Sequence, residues 1–163
     1  MNTLKPFQIR PAVPGDITEI VSLILELARY EKLEHEVRAN PEDLRKHLFG
    51  ETPFAEALLA EAEDQVVGFA LFFQNYSTFR TRPGIYLEDL FVRPEHRGKG
   101  IGKALLKTIG KLAVERGCGR FEWAVLDWNK PAIDFYLSLG ARPMDDWTVY
   151  RLEGDALQRL ADD

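Results

Sequence analysis

Apolar residues along the chain change their period several times, and each change marks an element. "FQIRPA" reads as a first strand, and Ile17, Ile20, Val21, Ile24 and Leu27 then recur at helical spacing. Asp16 stands three residues before Glu19, the spacing of a capping box at the head of that helix. "PEDLRKHLF", opening at Pro41, reads as a second, short helix. The pattern then turns strand-like: "AEALLAEA" and "QVVGFALFFQNY" predict a hairpin turning at Glu63-Asp64-Gln65, and "GIYLEDLFVRP" a third strand of the set. Ile101, Leu105, Ile109, Leu112 and Ala113 form the stripe of a helix that Gly117 and Gly119 stop. "RFEWAVLDW" is again a strand, "NKPAIDFYLSLG" a short helix from near Asn129 to Gly140, and "WTVYRL" a last strand. Antiparallel strands followed by strand-helix-strand crossovers predict an α/β fold: a mixed, mainly antiparallel central sheet with helices on both faces. No repeat, low-complexity tract or long linker divides the sequence, so residues 1–163 read as a single domain.

The 163 residues, 45% hydrophobic and 29% charged, suffice for one buried core. A formal charge of -5 and a pI near 5.3 speak against a nucleic-acid partner and suit small cations. The single cysteine, Cys118, makes no internal disulfide and reads as a buried small residue. No apolar run nears the roughly 18 residues that cross a bilayer, and the amino terminus lacks a secretory pattern. The expectation is a cytoplasmic protein with no membrane partner. His35, His47 and His96 show no metal-ligand spacing with one another or with Cys118, so no metal is expected. Trp123 and Trp128 read as core or pocket wall.

Candidate chemistry starts at "RPEHRGKGIGKALLK", where Gly98, Gly100 and Gly102 alternate at the mouth of an amphipathic helix. Glycines leave backbone N–H groups unobstructed where the first turn has no intrahelical partners and the helix dipole favours an anion. The spacing fits neither the dinucleotide fingerprint, whose third glycine would fall at Lys103, nor the G-x-x-x-x-G-K-[ST] loop. A glycine-rich turn with no ligand is the plain alternative. Arg97, Lys99 and Lys103, concentrated here in an acidic protein, favour an anion such as a phosphate.

Three segments carry a family resemblance. Arg97-Gly98-Lys99-Gly100-Ile101-Gly102 after a strand ending in Leu90-Phe91-Val92, the later Asn129-Lys130-Pro131-Ala132-Ile133-Asp134-Phe135-Tyr136, and Leu139-Gly140-Ala141 together resemble the GNAT superfamily of acetyl-CoA-dependent N-acetyltransferases. "IRPA", "LARYEKLE", "FGETPF", "YLEDLFV" and "AVLDWN" extend the resemblance over nearly the whole chain to its diamine and thialysine branch, with the thialysine type most similar. The resemblance implies acetyl-CoA as cosubstrate, with its pantetheine arm along Leu90, Phe91 and Val92. Arg97, Gly98, Lys99, Gly100, Ile101, Gly102 and Lys103 would hold the pyrophosphate, and Asn129, Pro131, Ala132 and Tyr136 would complete the cofactor side. It places the amine against Tyr30, Glu31, Glu88, Asp89 and Asp145, with Asp146 an alternative to Asp145, and it implies a homodimer.

Acetyl transfer from a thioester needs a neutral amine, and a lysine-like amine has a pKa of about 10.4. Deprotonation at neutral pH therefore costs about 4.6 kcal/mol, which calls for a general base. The resemblance puts that base, direct or water-linked, at Glu88, and Asp89 would be a second ligand of the amine. Consecutive residues of a regular strand point to opposite faces, so both carboxylates reach one pocket only if the strand bulges there. Tyr136 is the candidate acid for the leaving thiolate; its spacing from Ile133 alone reads as core, and the resemblance reverses that reading. The leading function is an N-acetyltransferase acting on a small-molecule amine by direct transfer in a ternary complex. A noncatalytic acyl-CoA sensor and an acetyltransferase of protein amino groups are the alternatives. Ser77-Thr78-Phe79, followed by Arg80 and Arg82, lacks the acidic residue of the polyamine-acetylating members. Two arginines there would repel a polycation and pair with an α-carboxylate, favouring lysine or thialysine over spermine.

Overall fold

A computed structural model describes residues 6–162. Its centre is a five-stranded sheet in which β1 (Gln8–Pro11), β2 (Glu56–Ala62), β3 (Gln65–Ser77), β4 (Arg82–Val92) and β5 (Arg120–Trp123) are neighbours in that order. Neighbours from β1 to β4 run antiparallel, and β5 joins β4 in parallel. Helices α1 (Ile17–Tyr30), α2 (Pro41–Phe49) and α3 (Ile101–Glu115) belong to the same compact unit, which ends at Ala124. This is the predicted α/β class, mixed and mainly antiparallel.

Burial explains why β2 shows no clean alternation in sequence: Ala57, Leu58, Leu59 and Ala60 are all buried, so both faces are covered. Ile17, Ile20, Leu23 and Leu27 of α1 pack with Leu48 of α2 and with Ala57, Leu59, Phe69 and Phe91 of the sheet. Strand alternation sends Leu58, Ala60 and Ala70 to the opposite face. There α3 crosses β2, β3 and β4 and buries Ile101, Leu105, Leu106, Ile109 and Ala113. The β2–β3 turn forms as expected, with Glu63 and Asp64 both left-handed at φ 53 and 60, as a two-residue hairpin loop requires.

The capping box expected between Asp16 and Glu19 does not form. Asp16 makes no side-chain cap bond to α1; its carboxylate takes the Arg10 guanidinium at 2.8 and 2.9 Å and the Val13 N–H at 2.7 Å. A charged donor outcompetes a neutral backbone amide. Glu19 instead accepts from Arg93 Nη2 at 2.7 Å. Arg93, directly after β4, also donates through Nη1 to the Val66 carbonyl at 2.7 Å and through Nε to Glu26 at 3.1 Å. One guanidinium thus fastens the end of β4 to α1 and to the start of β3.

The second unit, from Val125 onward, contains α4 (Lys130–Ser138) and α5 (Gly154–Asp162). Asn129 Oδ1 accepts from the Ala132 N–H at 3.4 Å, Pro131 sits in the first turn, and Lys130 pairs with Asp134 at 2.8 Å. Gly140, at φ 86, ends the helix while the Leu139 and Ala141 N–H groups donate to the Tyr136 carbonyl at 3.1 and 3.2 Å. The strand expected at "WTVYRL" is absent: residues 141–153 form neither helix nor strand, and β5 ends at Trp123 rather than running on to Trp128. Alternation supplies a face, whereas a strand also needs an edge to pair with. Trp147, Val149 and Tyr150 are left exposed, and α5 follows where the sequence offered no helical prediction.

Removing the Arg93 junction should be costly, because Arg93→Met strands two carboxylates and a backbone carbonyl at a partly buried position. Urea unfolding should show a loss of about 2–4 kcal/mol with the slope unchanged. A loss under about 0.5 kcal/mol would class the junction with ordinary surface pairs.

Candidate active site

The register of β3 on β4 slips by one residue: Leu71 faces Asp89 and Phe72 faces Leu87, leaving Glu88 without a partner. This is the bulge that two adjacent carboxylates demanded. Leu87 is buried, Glu88 exposed and Asp89 half-buried. Phe91 belongs to the core under α1, and Asp89, two residues earlier, shares its face. That face meets the end of α1, where Glu31 follows Tyr30. Burial first, and then the charges of Glu88 and Glu31, push the Asp89 carboxyl up to about 7. Burial also raises Glu31. The fold therefore gathers three acids in one local environment where protonation of Asp89 is balanced near neutrality.

The pairing of β5 with β4 runs from Arg120 opposite Gly84 to Trp123 opposite Leu87 and stops there. Beyond the bulge, among the described residues, Leu90, Phe91 and Val92 have no strand on that side. An open edge of this kind can take an extended chain carrying amide groups. The chain then passes through a short turn to Gly98 and Gly100, left-handed at φ 75 and 85, with Gly100 capping α3. A Cβ at either position would meet nothing within 4 Å, so the space beside this backbone is open. Glycine is required at these two positions by conformation, whereas Gly102 lies inside α3 with no such requirement. The first-turn N–H groups of Ile101, Gly102 and Lys103 have no intrahelical acceptor, and Lys99 and Lys103 flank them. This donor set fits a phosphate anion.

Arg97, directly before that loop, is held against β4 and the end of α1. Its Nε donates to the Val92 carbonyl at 2.7 Å, and the guanidinium centre lies 4.9 Å from the Tyr30 ring and 5.3 Å from the Phe91 ring. Of the remaining expected residues, Asn129, Pro131, Ala132, Tyr136 and Asp145 lie in the second unit. Tyr136 is half-buried on α4 with its ring 5.6 Å from that of Phe135. Asp145 and Asp146 are both exposed in a turn, and burial does not separate them.

Arg80 and Arg82 are not where the substrate argument needed them. Arg82 begins β4, six residues before Glu88, which is about 20 Å along a strand. Its Nη1 lies 3.9 Å from the position of a Cβ on Gly117, at the carboxyl end of α3, where a cation suits the dipole. A lysine with its amine at Glu88 cannot span that distance within one chain. Sequence reasoning left out two cations that flank Glu31 in the chain: Arg29 and Lys32 line an open cavity of about 460 Å³ with Glu34 and His35. The only local sign, a left-handed Lys32 at φ 62, is invisible without coordinates.

Residues 18–141 match the model of the Acetyltransferase (GNAT) family. The chain belongs to that family. It is similar to a thialysine N-epsilon-acetyltransferase of Bos taurus, 46% identical over 94% of this chain and 96% of the relative. It is also similar to an L-ornithine N5-acetyltransferase of Arabidopsis thaliana, 35% identical over 94% of this chain and 87% of that protein. Among solved structures, an integron cassette protein from the mobile metagenome of V. cholerae superposes with a TM-score of 0.81 at 30% identity, covering 97% of this chain and 99% of that one. The chain is accordingly an acyltransferase that moves an acetyl group to an amine, and GNAT acetyltransferases in general use acetyl-CoA. No helix among the described residues is long and apolar enough to cross a membrane.

The Asp89 environment of this GNAT protein has a stability signature. An acid raised from 3.8 to about 7 by the fold stays protonated between those values and is ionised against the fold above them. Its contribution to stability is whole below about pH 4 and is lost as pH rises through 7, on the order of 4 kcal/mol in all. Asp89→Asn escapes that loss, so its melting temperature should exceed that of the wild type by more at pH 8 than at pH 5. An equal difference at both values would show that Asp89 does not titrate in this window.

Proposed function

We propose that this acetyltransferase transfers the acetyl group of acetyl-CoA to the side-chain amine of a lysine-like small molecule, thialysine or lysine, within a ternary complex. The observation that carries the reading is Asp89: its carboxyl, raised to about 7, sits beside Glu88 on a bulge at the start of the open β4 edge, the strand that leads on to the glycine loop. Acetyl-CoA supplies the acyl group as a thioester already activated toward an amine. The Gly98–Lys103 backbone, with Arg97, Lys99 and Lys103, binds the pyrophosphate, and Leu90, Phe91 and Val92 pair with the pantetheine arm. Asn129, Pro131, Ala132 and Tyr136 complete the cofactor side. A β4 backbone N–H faces the carbonyl oxygen as charge develops on it.

An ammonium entering among Glu31, Glu88 and Asp89 relieves their mutual repulsion and is held by it; Tyr30 and Asp145 complete the amine side. The Glu88–Asp89 pair then removes the proton, directly or through water, with Glu88 as the exposed member that meets it and Asp89 setting the charge of the pair. Asp89, raised to about 7, gives the pair a member that can take up or release a proton near neutrality. The Tyr136 hydroxyl returns a proton to the leaving thiolate. With Arg80 and Arg82 too distant, Arg29 and Lys32 beside Glu31 supply the cationic partner for an α-carboxylate. The relatives named for thialysine and ornithine support an amino-acid substrate.

The family match crosses from the first unit into the second, which supports one acetyltransferase domain over residues 1–163. A homodimer accounts for the exposed Trp147, Val149 and Tyr150 in a segment that reads as a strand, since a second copy would supply the missing edge. The cytoplasm is the proposed compartment, consistent with a protein whose partner is a small amine rather than nucleic acid, membrane or metal.

Thiol release from acetyl-CoA across thialysine, lysine, ornithine, spermidine and spermine tests the reading. Thialysine or lysine should exceed spermine by about tenfold or more in kcat/KM, equivalent to about 1.4 kcal/mol of charge discrimination. A polyamine as best substrate would replace the proposed amine and keep the transferase, whereas binding of acetyl-CoA with no release on any amine would leave a sensor. Tyr136→Phe should lower kcat about 100-fold with little change in the acetyl-CoA KM, because it removes a proton donor and keeps the ring. Wild-type turnover in that variant would return Tyr136 to a packing role.

A further inference from the structure

The Arg97 guanidinium is held on three sides. Its Nε donates to the Val92 carbonyl at 2.7 Å, and its Cζ lies over the Tyr30 ring, 4.9 Å from the centroid, and over the Phe91 ring, 5.3 Å from the centroid. Guanidinium has five N–H donors, and Nε uses one. The four on the two Nη atoms make no hydrogen bond among the described residues. Arg97 directly precedes Gly98, so a held fork of unused donors, of the kind that matches a phosphate, stands on the residue that opens the glycine loop.

The two rings differ in what they can contribute. Phe91 is 5% exposed and belongs to the core of the first unit, whereas Tyr30 is the last residue of α1 and 38% exposed. Without the Tyr30 face, the long Arg97 side chain regains rotamers, and an anion must then pay to order it again. The sequence resemblance assigns Tyr30 to the amine; the geometry adds a second role on the other side of the site. We propose that Tyr30 is a positioning residue for acetyl-CoA, acting through Arg97: its ring fixes the guanidinium so that the Nη groups meet the pyrophosphate already oriented. This rests on the reading that the glycine loop binds acetyl-CoA.

Calorimetric titration of the 163-residue protein with acetyl-CoA, alongside steady-state KM values for the amine, tests the proposal. Tyr30→Leu should raise the acetyl-CoA Kd about threefold to tenfold, the range expected of one lost cation–π contact. Tyr30→Phe, which keeps the ring face, should stay within about twofold of wild type by the same contact. In an Arg97→Gln background, Tyr30→Leu should have no further effect on acetyl-CoA. Should Tyr30→Leu fail to fold, Arg97→Lys keeps the charge without the flat face, and it should show the same loss and insensitivity to Tyr30→Phe. An unchanged acetyl-CoA Kd in Tyr30→Leu with a raised amine KM, a loss as large in Tyr30→Phe, or additive losses in the double variant would each overturn the inference. Wild-type protein that binds no acetyl-CoA would remove the functional reading itself, and the inference with it.

Discussion

Because β4 carries one residue more than β3 between Leu87 and Asp89, the sheet cannot keep a regular register through the site. Three consequences share that cause. Adjacent acids are released from strict alternation, the parallel partner β5 ends beside the irregularity, and the last residues of β4 keep an open side. Such an edge is tolerable because the rest of β4 is anchored firmly. Phe91 is buried in the α1 core, and Arg93 holds the strand end through two carboxylates and a carbonyl.

Between Glu88 and Lys103 the chain passes from an acidic end to a basic one. The acids lie at the bulge beside Glu31, and the cations flank the glycine turn, so one continuous segment offers opposite charges to the two ends of a reaction joining an amine to a phosphate-bearing donor. The protein's excess of acids suits the cationic partner, and left-handed glycines with unpaired amides draw the anionic one locally in spite of that excess. Arg97 stands at the crossing, bonded to β4 and stacked on α1.

What could be read from the residues was whatever depends on neighbours in the chain. The α1 and α3 stripes, the hairpin turn at Glu63 and Asp64, and the glycine turn all follow local rules. The bulge was legible as a necessity, because two successive carboxylates had to reach one pocket, although only the register fixes Glu88 as the extra residue. What stayed hidden depends on distant partners. Asp16 was drawn to Arg10 instead of its own helix, "WTVYRL" had alternation and no edge, and Arg82 was too far along β4 to serve the amine. The stacking of Arg97 on Tyr30 joins positions 67 residues apart, beyond any periodic signal.

An unpaired strand edge is also a hazard, since its free N–H and C=O groups are a template for aggregation with any extended chain that drifts past. The open stretch of β4 begins beside Glu88, whose exposed carboxylate acts at such an edge as a gatekeeper against strand-to-strand sticking. Neutralising Glu88 to study its chemistry would therefore also strip the edge of its protection. The carboxylate that meets the amine also serves the solubility of the protein.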